Sequence, residues 1–239
     1  MRPINALQEA RRIEATLARL ELCEAVAAQT IRQLALYARM VRTERGELLV
    51  PCGERPPGVF AVLRGSLKTR LPQANGHEVI PALLGPGSTV GLAATVLSHP
   101  SKVDLVALEE SLLVLIEGAS LLAQMACDPR LARNVANNLA TKAQALMAQF
   151  EESRLPTHQR LAAYLESIAE PTAAPEIWTA RLPVSKTVLA ARLGMKKETL
   201  SRLLQRLARR GVIEVTRRDI TILDRAGLVD ARSGRAQSA

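Results

Sequence analysis

Glycine and proline crowd one part of this chain and limit what it can become. Eight of the 13 glycines lie between positions 46 and 91, and seven prolines lie between 51 and 100. Each such residue interrupts a helix, so this region has room only for short strands separated by turns. The apolar stretches between them are Glu47–Val50, Val59–Leu63, Ser66–Leu71, Val79–Ile80 and Leu105–Ile116. Short strands punctuated every eight to twelve residues predict an antiparallel barrel or sandwich. Asn75-Gly76 is a type I′ hairpin signal within it. Hydrophobic residues make up 48% of the chain but aromatic ones only 2%, so the core has to be aliphatic. The same scarcity of rings argues against single-strand nucleic-acid binding by base stacking. Ahead of the strands, Ile13, Leu17 and Leu20, then Ile31 and Leu34, repeat at helical spacing and predict a helical lead-in.

After Ile116 the period changes. Asp128-Pro129 resembles a helix cap followed by proline at the first helical position. Ala132, Ala136, Leu139, Ala143, Leu146 and Phe150 then alternate by four and three, a heptad seam of about three repeats. Such a helix either packs on its own domain or pairs with a second copy, and periodicity leaves both open. Leu155-Pro156 ends it, because proline disfavours helix in the residue before it. Pro156 can open a next helix with Leu161, Tyr164, Leu165 and Ile168 on one face, and Pro171–Pro175 reads as a loop. The expected organisation is a β-roll over 1–127, a long helix over 128–154, a C-terminal domain over 155–228 and a disordered tail over 229–239.

Charge singles out the C-terminal domain. The net charge is +9, and residues 184–225 alone carry 11 basic against 4 acidic side chains, a net of +7. A helix capped by Ser185 carries Val188, Leu189 and Leu193, and Gly194 suits the left-handed residue that ends a helix. A second helix carries Leu200, Leu203, Leu204 and Leu207 on one stripe, with Lys197, Glu198, Ser201, Arg202, Gln205, Arg206 and Arg209 opposite. Two alternating strands, 211–215 and 219–223, follow around Thr216-Arg217-Arg218. This predicts a winged helix-turn-helix whose second helix fits the DNA major groove.

Other classes are excluded by what the chain lacks. No apolar run approaches the length of a membrane span, and Glu9, Glu14, Glu21 and Glu24 break any secretory signal. Cys23, Cys52 and Cys127 are too few and too scattered for a disulfide framework. Residues 85–91 superficially resemble a phosphate loop but lack its Gly-Lys-Ser/Thr ending, and three scattered histidines form no metal-spaced cluster. The expectation is a soluble cytoplasmic protein without enzymatic activity.

The layout of roll, long helix and winged helix-turn-helix resembles the Crp/Fnr superfamily of bacterial transcription regulators. The matching signatures are Gly46-Glu47, Cys52-Gly53-Glu54, Val62-Leu-Arg-Gly65, Leu84-Gly-Pro-Gly87 and, most specific, Lys197-Glu-Thr-Leu-Ser-Arg-Leu-Leu204. The last is similar to the Fnr-type recognition helix with its Glu-Thr-x-Ser-Arg core. The fold class implied is α+β: an antiparallel roll like a cyclic-nucleotide-binding jelly roll, a dimerisation helix, then the winged helix. The resemblance implies that Glu198, Ser201 and Arg202 read base edges. Lys196, Lys197, Thr199, Arg217 and Arg218 suit phosphate. It also implies a homodimer on a TTGAT-like inverted repeat in double-stranded DNA, with RNA polymerase as a further partner.

What the roll senses is less legible. Relatives that bind cyclic AMP clamp its phosphate with an arginine. The matching stretch here, Gly91-Leu92 and Ser101-Lys102, has none, and no arginine occurs from 71 to 129. Oxygen-sensing Fnr proteins use four cysteines for an iron–sulfur cluster, and three dispersed ones do not match. Residues 220–225 and Thr157-His158 are similar to a branch responding to nitrogen oxides, for which haem is the proposed cofactor. The stock of axial ligands would be His77, His99, His158, Cys52, Cys127 and Met125, with no set standing out. His77 and His99 read as exposed loop residues, His158 as structural, and Cys127 as a small core residue before the long helix. A constitutive dimer with no effector, or a regulator answering to redox state or a small organic ligand, stays open beside the gas sensor.

Overall fold

The computed structural model describes residues 3–72, 78–172 and 177–233, which divide into two compact units, Met1–Ala145 and Leu146–Ala239. The first unit opens with helices α1 (Pro3–Leu17) and α2 (Ala28–Leu36). All five apolar residues of the expected lead-in, Ile13, Leu17, Leu20, Ile31 and Leu34, are buried. Among the described residues nine short strands follow: β1 (Ala38–Thr43), β2 (Leu48–Val50), β3 (Gly58–Arg64), β4 (Leu67–Pro72), β5 (Glu78–Val79), β6 (Leu83–Leu84), β7 (Thr89–Val90), β8 (Asp104–Ala107) and β9 (Ser111–Glu117). Their pairing is antiparallel in two sheets, β1-β9-β3-β7 and β2-β8-β4-β5, with β6 on β4. Leu105–Ile116, which reads as one apolar stretch, folds as the two strands β8 and β9. The Asn75-Gly76 turn and His77 fall outside the described residues.

Alternation along the strands divides the core in two. Phe60, Val62, Leu113 and Leu115 point into the roll with Leu67 and Leu105. Val59, Ala61, Val114 and Ile116 point the other way, against α1, α2 and two further helices, α4 (Gly118–Cys127) and α5 (Pro129–Ser153). A shorter helix, α3 (Leu92–Leu97), connects β7 to β8. Gly58 is required by close approach: a Cβ there would stand 2.0 Å from the Ile116 carbonyl oxygen of the adjacent strand.

Asp128 caps α5, as its sequence context predicts, and does more. Its Oδ1 accepts from the backbone N–H groups of Arg130 and Leu131, while Oδ2 accepts from the Thr30 hydroxyl at 2.8 Å and the Ala27 N–H at 3.2 Å. One carboxylate therefore serves the N-termini of both α2 and α5, where the helix dipoles favour negative charge. The Thr30 hydroxyl, opposed by burial and aided by the three backbone donors, lowers its pKa from the ordinary carboxylate value. Since the folded pKa is the lower one, this stabilisation is complete above the ordinary value and is lost as pH falls through the depressed one. Asp128→Asn is accordingly expected to unfold more easily than wild type at neutral pH. The difference in denaturant midpoint should shrink on acidification, as paired urea titrations would show.

The faces of α5 are unlike. Leu131 and Val135 are buried against the roll core, and Leu139 packs against it too. The Thr89 hydroxyl donates to Asn138 at 3.3 Å, and the Lys142 ammonium donates to the Thr89 carbonyl and hydroxyl oxygens. On the other face Ala136, Ala140, Ala143, Met147 and Phe150 are exposed, the last two at 69% each. Of the residues expected in the seam, Ala136, Ala143, Leu146 and Phe150 are exposed, Ala132 is half-buried and Leu139 packs against the roll core. Ala140 and Met147 extend this exposed face.

The second unit comprises the end of α5, then α6 (Thr157–Ser167), β10 (Ala169–Pro171), β11 (Trp178–Arg181), α7 (Lys186–Arg192), α8 (Lys197–Arg209), β12 (Ile213–Thr216), β13 (Asp219–Ile222) and α9 (Arg225–Ser233). Its sheet runs β10-β11-β13-β12. Pro171 lies in β10 rather than in a loop, and residues 173–176 fall outside the described ones. The tail expected to be disordered from 229 is helical through Ser233. Leu228 and Ala231 of α9 are buried, Arg232 pairs with Glu166 at 2.7 Å, and the Arg225 guanidinium lies 4.1 Å from the Trp178 ring centroid.

Candidate nucleic-acid interface

The turn between α7 and α8 is built by a capping sequence. Ser185 Oγ accepts from the Val188 N–H at 3.4 Å and starts α7. At its end Gly194, at φ +63, donates to the Ala191 carbonyl, and Met195 donates to the Ala190 carbonyl. This pair of bonds is the Schellman arrangement, which needs a left-handed residue at Gly194. Three residues, Leu193, Gly194 and Met195, thus turn the chain sharply, and Lys196 becomes the N-cap of α8.

The two faces of α8 separate cleanly. Leu200, Leu204 and Leu207 are buried, and Leu203 is half-buried. Lys197, Glu198, Arg202, Gln205, Arg206 and Arg209 are exposed. Glu198, Arg202, Gln205 and Arg209 recur at i, i+4, i+7 and i+11, so they form one outward stripe. Among the described residues, no hydrogen bond or ion pair engages the side chains of Glu198 and Arg202, although they are four apart. Their donors and acceptors are uncommitted. Ser201 is half-buried and lies beside the stripe, lining a groove of about 620 Å³ between α8 and β12 with Leu204, Gln205 and Ile213. Thr199 is half-buried on the other flank.

Lys196 and Lys197 occupy the N-cap and first position of α8, where the helix dipole already places partial positive charge. For an isolated helix this is the unfavourable end for a cation. Glu198, in the same first turn, supplies the negative charge that the dipole favours there.

The wing is tighter than expected. Thr216 pairs with Asp219 in the ladder, so the loop is the two residues Arg217 and Arg218, both exposed. Arg217 has φ +57, a conformation that L-residues other than Asn and Asp seldom adopt. The Arg218 carbonyl accepts from the Leu182 N–H at 2.8 Å, which fastens the wing tip to the segment after β11.

The candidate ligands for haem do not converge among the described residues. His99 and Cys52 are exposed, His158 is half-buried on α6, and Met125 packs partly against the roll's outer core. Cys127, expected in the core, is exposed at the end of α4. Cys23 is the buried thiol, and burial pushes its pKa up to about 11, leaving it protonated and unreactive at neutral pH. No group of three or more His, Cys, Asp or Glu side chains suited to a metal ion occurs among the described residues.

Residues 40–128 match the cyclic nucleotide-binding domain family, and residues 159–231 match the Crp-like helix-turn-helix domain family. The chain is 31% identical over 199 residues to the transcriptional regulatory protein Btr of Bordetella pertussis, covering 81% of each chain. It is 27% identical over 191 residues to the anaerobic regulatory protein of Haemophilus influenzae, covering 78% of this chain and 74% of that one. Among solved structures, FixK2 from Bradyrhizobium japonicum superposes with a TM-score of 0.71 at 23% identity, covering 81% of this chain and 96% of that one. No helix among the described residues is long and apolar enough to cross a membrane.

Proposed function

Because this chain belongs to the Crp/Fnr superfamily of transcription regulators, we propose that it is a homodimeric, sequence-specific DNA-binding regulator whose roll answers to a small effector other than cyclic AMP. One observation carries the reading: α8 presents Glu198 and Arg202 side by side, exposed and without partners among the described residues, on a leucine-backed helix. Arg202 has the fork to donate two hydrogen bonds to guanine O6 and N7, and Glu198 can accept from cytosine N4. Ser201 is short enough to approach a neighbouring base. Lys196, Lys197 and Thr199, with Arg217 and Arg218 on the wing, hold phosphates and set the register. The target is an inverted repeat with TTGAT-like arms, and RNA polymerase is the further partner.

The bare stripe of α5 supports pairing of two copies. Alanine at three of its five positions lets two helices approach closely, and Met147 and Phe150 supply the buried area at one end. Met147→Glu places charge in that seam. It is expected to give a monomer by light scattering and to abolish preference for the full repeat over a single arm. A variant that stays dimeric would show that the seam lies elsewhere.

The cassette between β7 and β8 tells against cyclic AMP. Leu92 is buried, and Ser101 is occupied within its own loop: its hydroxyl donates to the Val103 carbonyl, while its N–H donates to the Glu54 carbonyl. No arginine stands in this segment to meet a phosphate. The described side chains offer haem no converging ligand set.

The test is selection from randomised duplexes. Enrichment of an inverted repeat with TTGAT-like arms is expected, and the absence of any symmetric preference would sink the proposal. An operator affinity that stays constant across candidate effectors would favour a constitutive dimer, because an effector can shift only what it binds differentially.

A further inference from the structure

Arg192, the last residue of α7, reaches a different helix from the one it ends. Its Nη1 donates to the Gln149 side-chain oxygen at 2.7 Å, across 43 residues of sequence. Glu152, one turn further along α5, and Tyr164 of α6 both act on the same guanidinium. Burial lowers the Arg192 pKa from the ordinary arginine value, and the interactions with Tyr164 and Glu152 oppose it. All four residues belong to the second unit.

Their placement on α5 matters. At about 100° per residue, Gln149 and Glu152 lie roughly half a turn around the helix from Met147 and Phe150. The same two turns therefore hold α7 on one side and leave a bare apolar stripe on the other. From α7 the chain passes to α8 through the three-residue capped turn, so whatever fixes α7 also fixes the helix that meets DNA. A planar guanidinium suits this task better than an ammonium, since its fork is directional and it tolerates partial burial.

We propose that Arg192 is a positioning residue, clamping the helix-turn-helix to the end of the pairing helix through Gln149 and thereby setting the spacing between the two half-sites. The proposal rests on the dimeric DNA-binding reading above. In a two-fold dimer the separation of the recognition helices has to match about one turn of duplex, some 34–36 Å for 10–10.5 base pairs. One base pair of altered spacing thus demands about 3.4 Å of compliance, which a clamped α7 resists and a released one permits.

The experiment uses the full-length protein and a set of inverted repeats with the preferred spacing, one base pair fewer and one more. Hydrogen bonds to a charged group are worth roughly tenfold or more in an equilibrium, so wild type should favour its own spacing by about that factor. Gln149→Leu should bring the ratio within about threefold while leaving the preferred bases of each arm unchanged. Gln149→Glu, which keeps an acceptor for Arg192, should retain the wild-type ratio. Gln149 is half-buried on a helix surface, so Gln149→Leu should remain folded with a lowered melting temperature and Gln149→Glu should melt no earlier than wild type; spacing ratios are compared well below both transitions. Full spacing discrimination in Gln149→Leu, or its loss in Gln149→Glu, would overturn the clamp. A wild type that selects no inverted repeat would instead overturn the dimeric reading on which it rests.

Discussion

Arg202→Ala should erase the preference for one base pair in each arm of the operator while leaving the protein as stable as wild type. The side chain is exposed and, among the described residues, without a hydrogen-bond or ion-pair partner, so truncation removes nothing from the fold. A bidentate pair of hydrogen bonds to a base is worth about 1–3 kcal/mol of discrimination. A symmetric dimer makes it twice, so the full site should lose about 2–6 kcal/mol if the two arms are independent. Lys197→Ala is the informative contrast. Removing a phosphate-binding cation weakens all duplexes alike and flattens the dependence of log K on log salt by about one for each phosphate that is no longer neutralised. Titrations of both variants against the operator and its single-base substitutions, at several salt concentrations, separate the two behaviours. An unchanged base preference in Arg202→Ala would remove the side chain from the base-reading set.

Leu200→Ala should do the reverse, destabilising the C-terminal unit without altering which bases it prefers. Leu200 is fully buried on the face of α8 that backs the exposed stripe. A Leu→Ala truncation at such a site costs about 2–5 kcal/mol, the spread reflecting how far the surroundings can close on the cavity. Against the roughly 5–15 kcal/mol that holds a typical domain together, this is a large fraction. Denaturation followed by circular dichroism should show an early transition for this unit. Below that transition, the pattern of base preference should be that of wild type. A wild-type melting profile would mean that the leucine stripe does not support α8 as described.

The pattern on α8 is legible from residues alone. Exposed polar positions and buried leucines alternate on α8 with the period of 3.6, and Ser185 and Gly194 mark the start and the end of the helix before it. These are local signals, carried by residues within a few positions of one another. The pairing of β10 with β11 is not legible in this way, because Pro171 reads as a turn residue and β11 is held in the sheet by β13, which lies some 40 residues later. The helix α9 escapes sequence reasoning for a similar reason. Leu228 and Val229 are its only large apolar residues, and it is held by Leu228, by Arg232 on Glu166, and by Arg225 over Trp178.

The long helix shows the division most plainly. Its existence and its limits at Asp128-Pro129 and Leu155-Pro156 follow from capping chemistry and from the steric demands of proline. Which of its faces stays bare does not. Two heptad frames share Ala136, Ala143 and Phe150, and nothing local chooses between Leu139 with Leu146 and Ala140 with Met147. The choice falls to the roll, which takes Leu139 into its core and holds Asn138 and Lys142 through Thr89. In the same way Asp128 is recognisable as a cap for its own helix, but its service to Thr30 and Ala27 exists only once α2 lies against it. Local order in this protein follows from short-range sterics and hydrogen bonding; the allotment of each helix face, and of Arg192 to Gln149, follows from which surfaces the rest of the chain brings together.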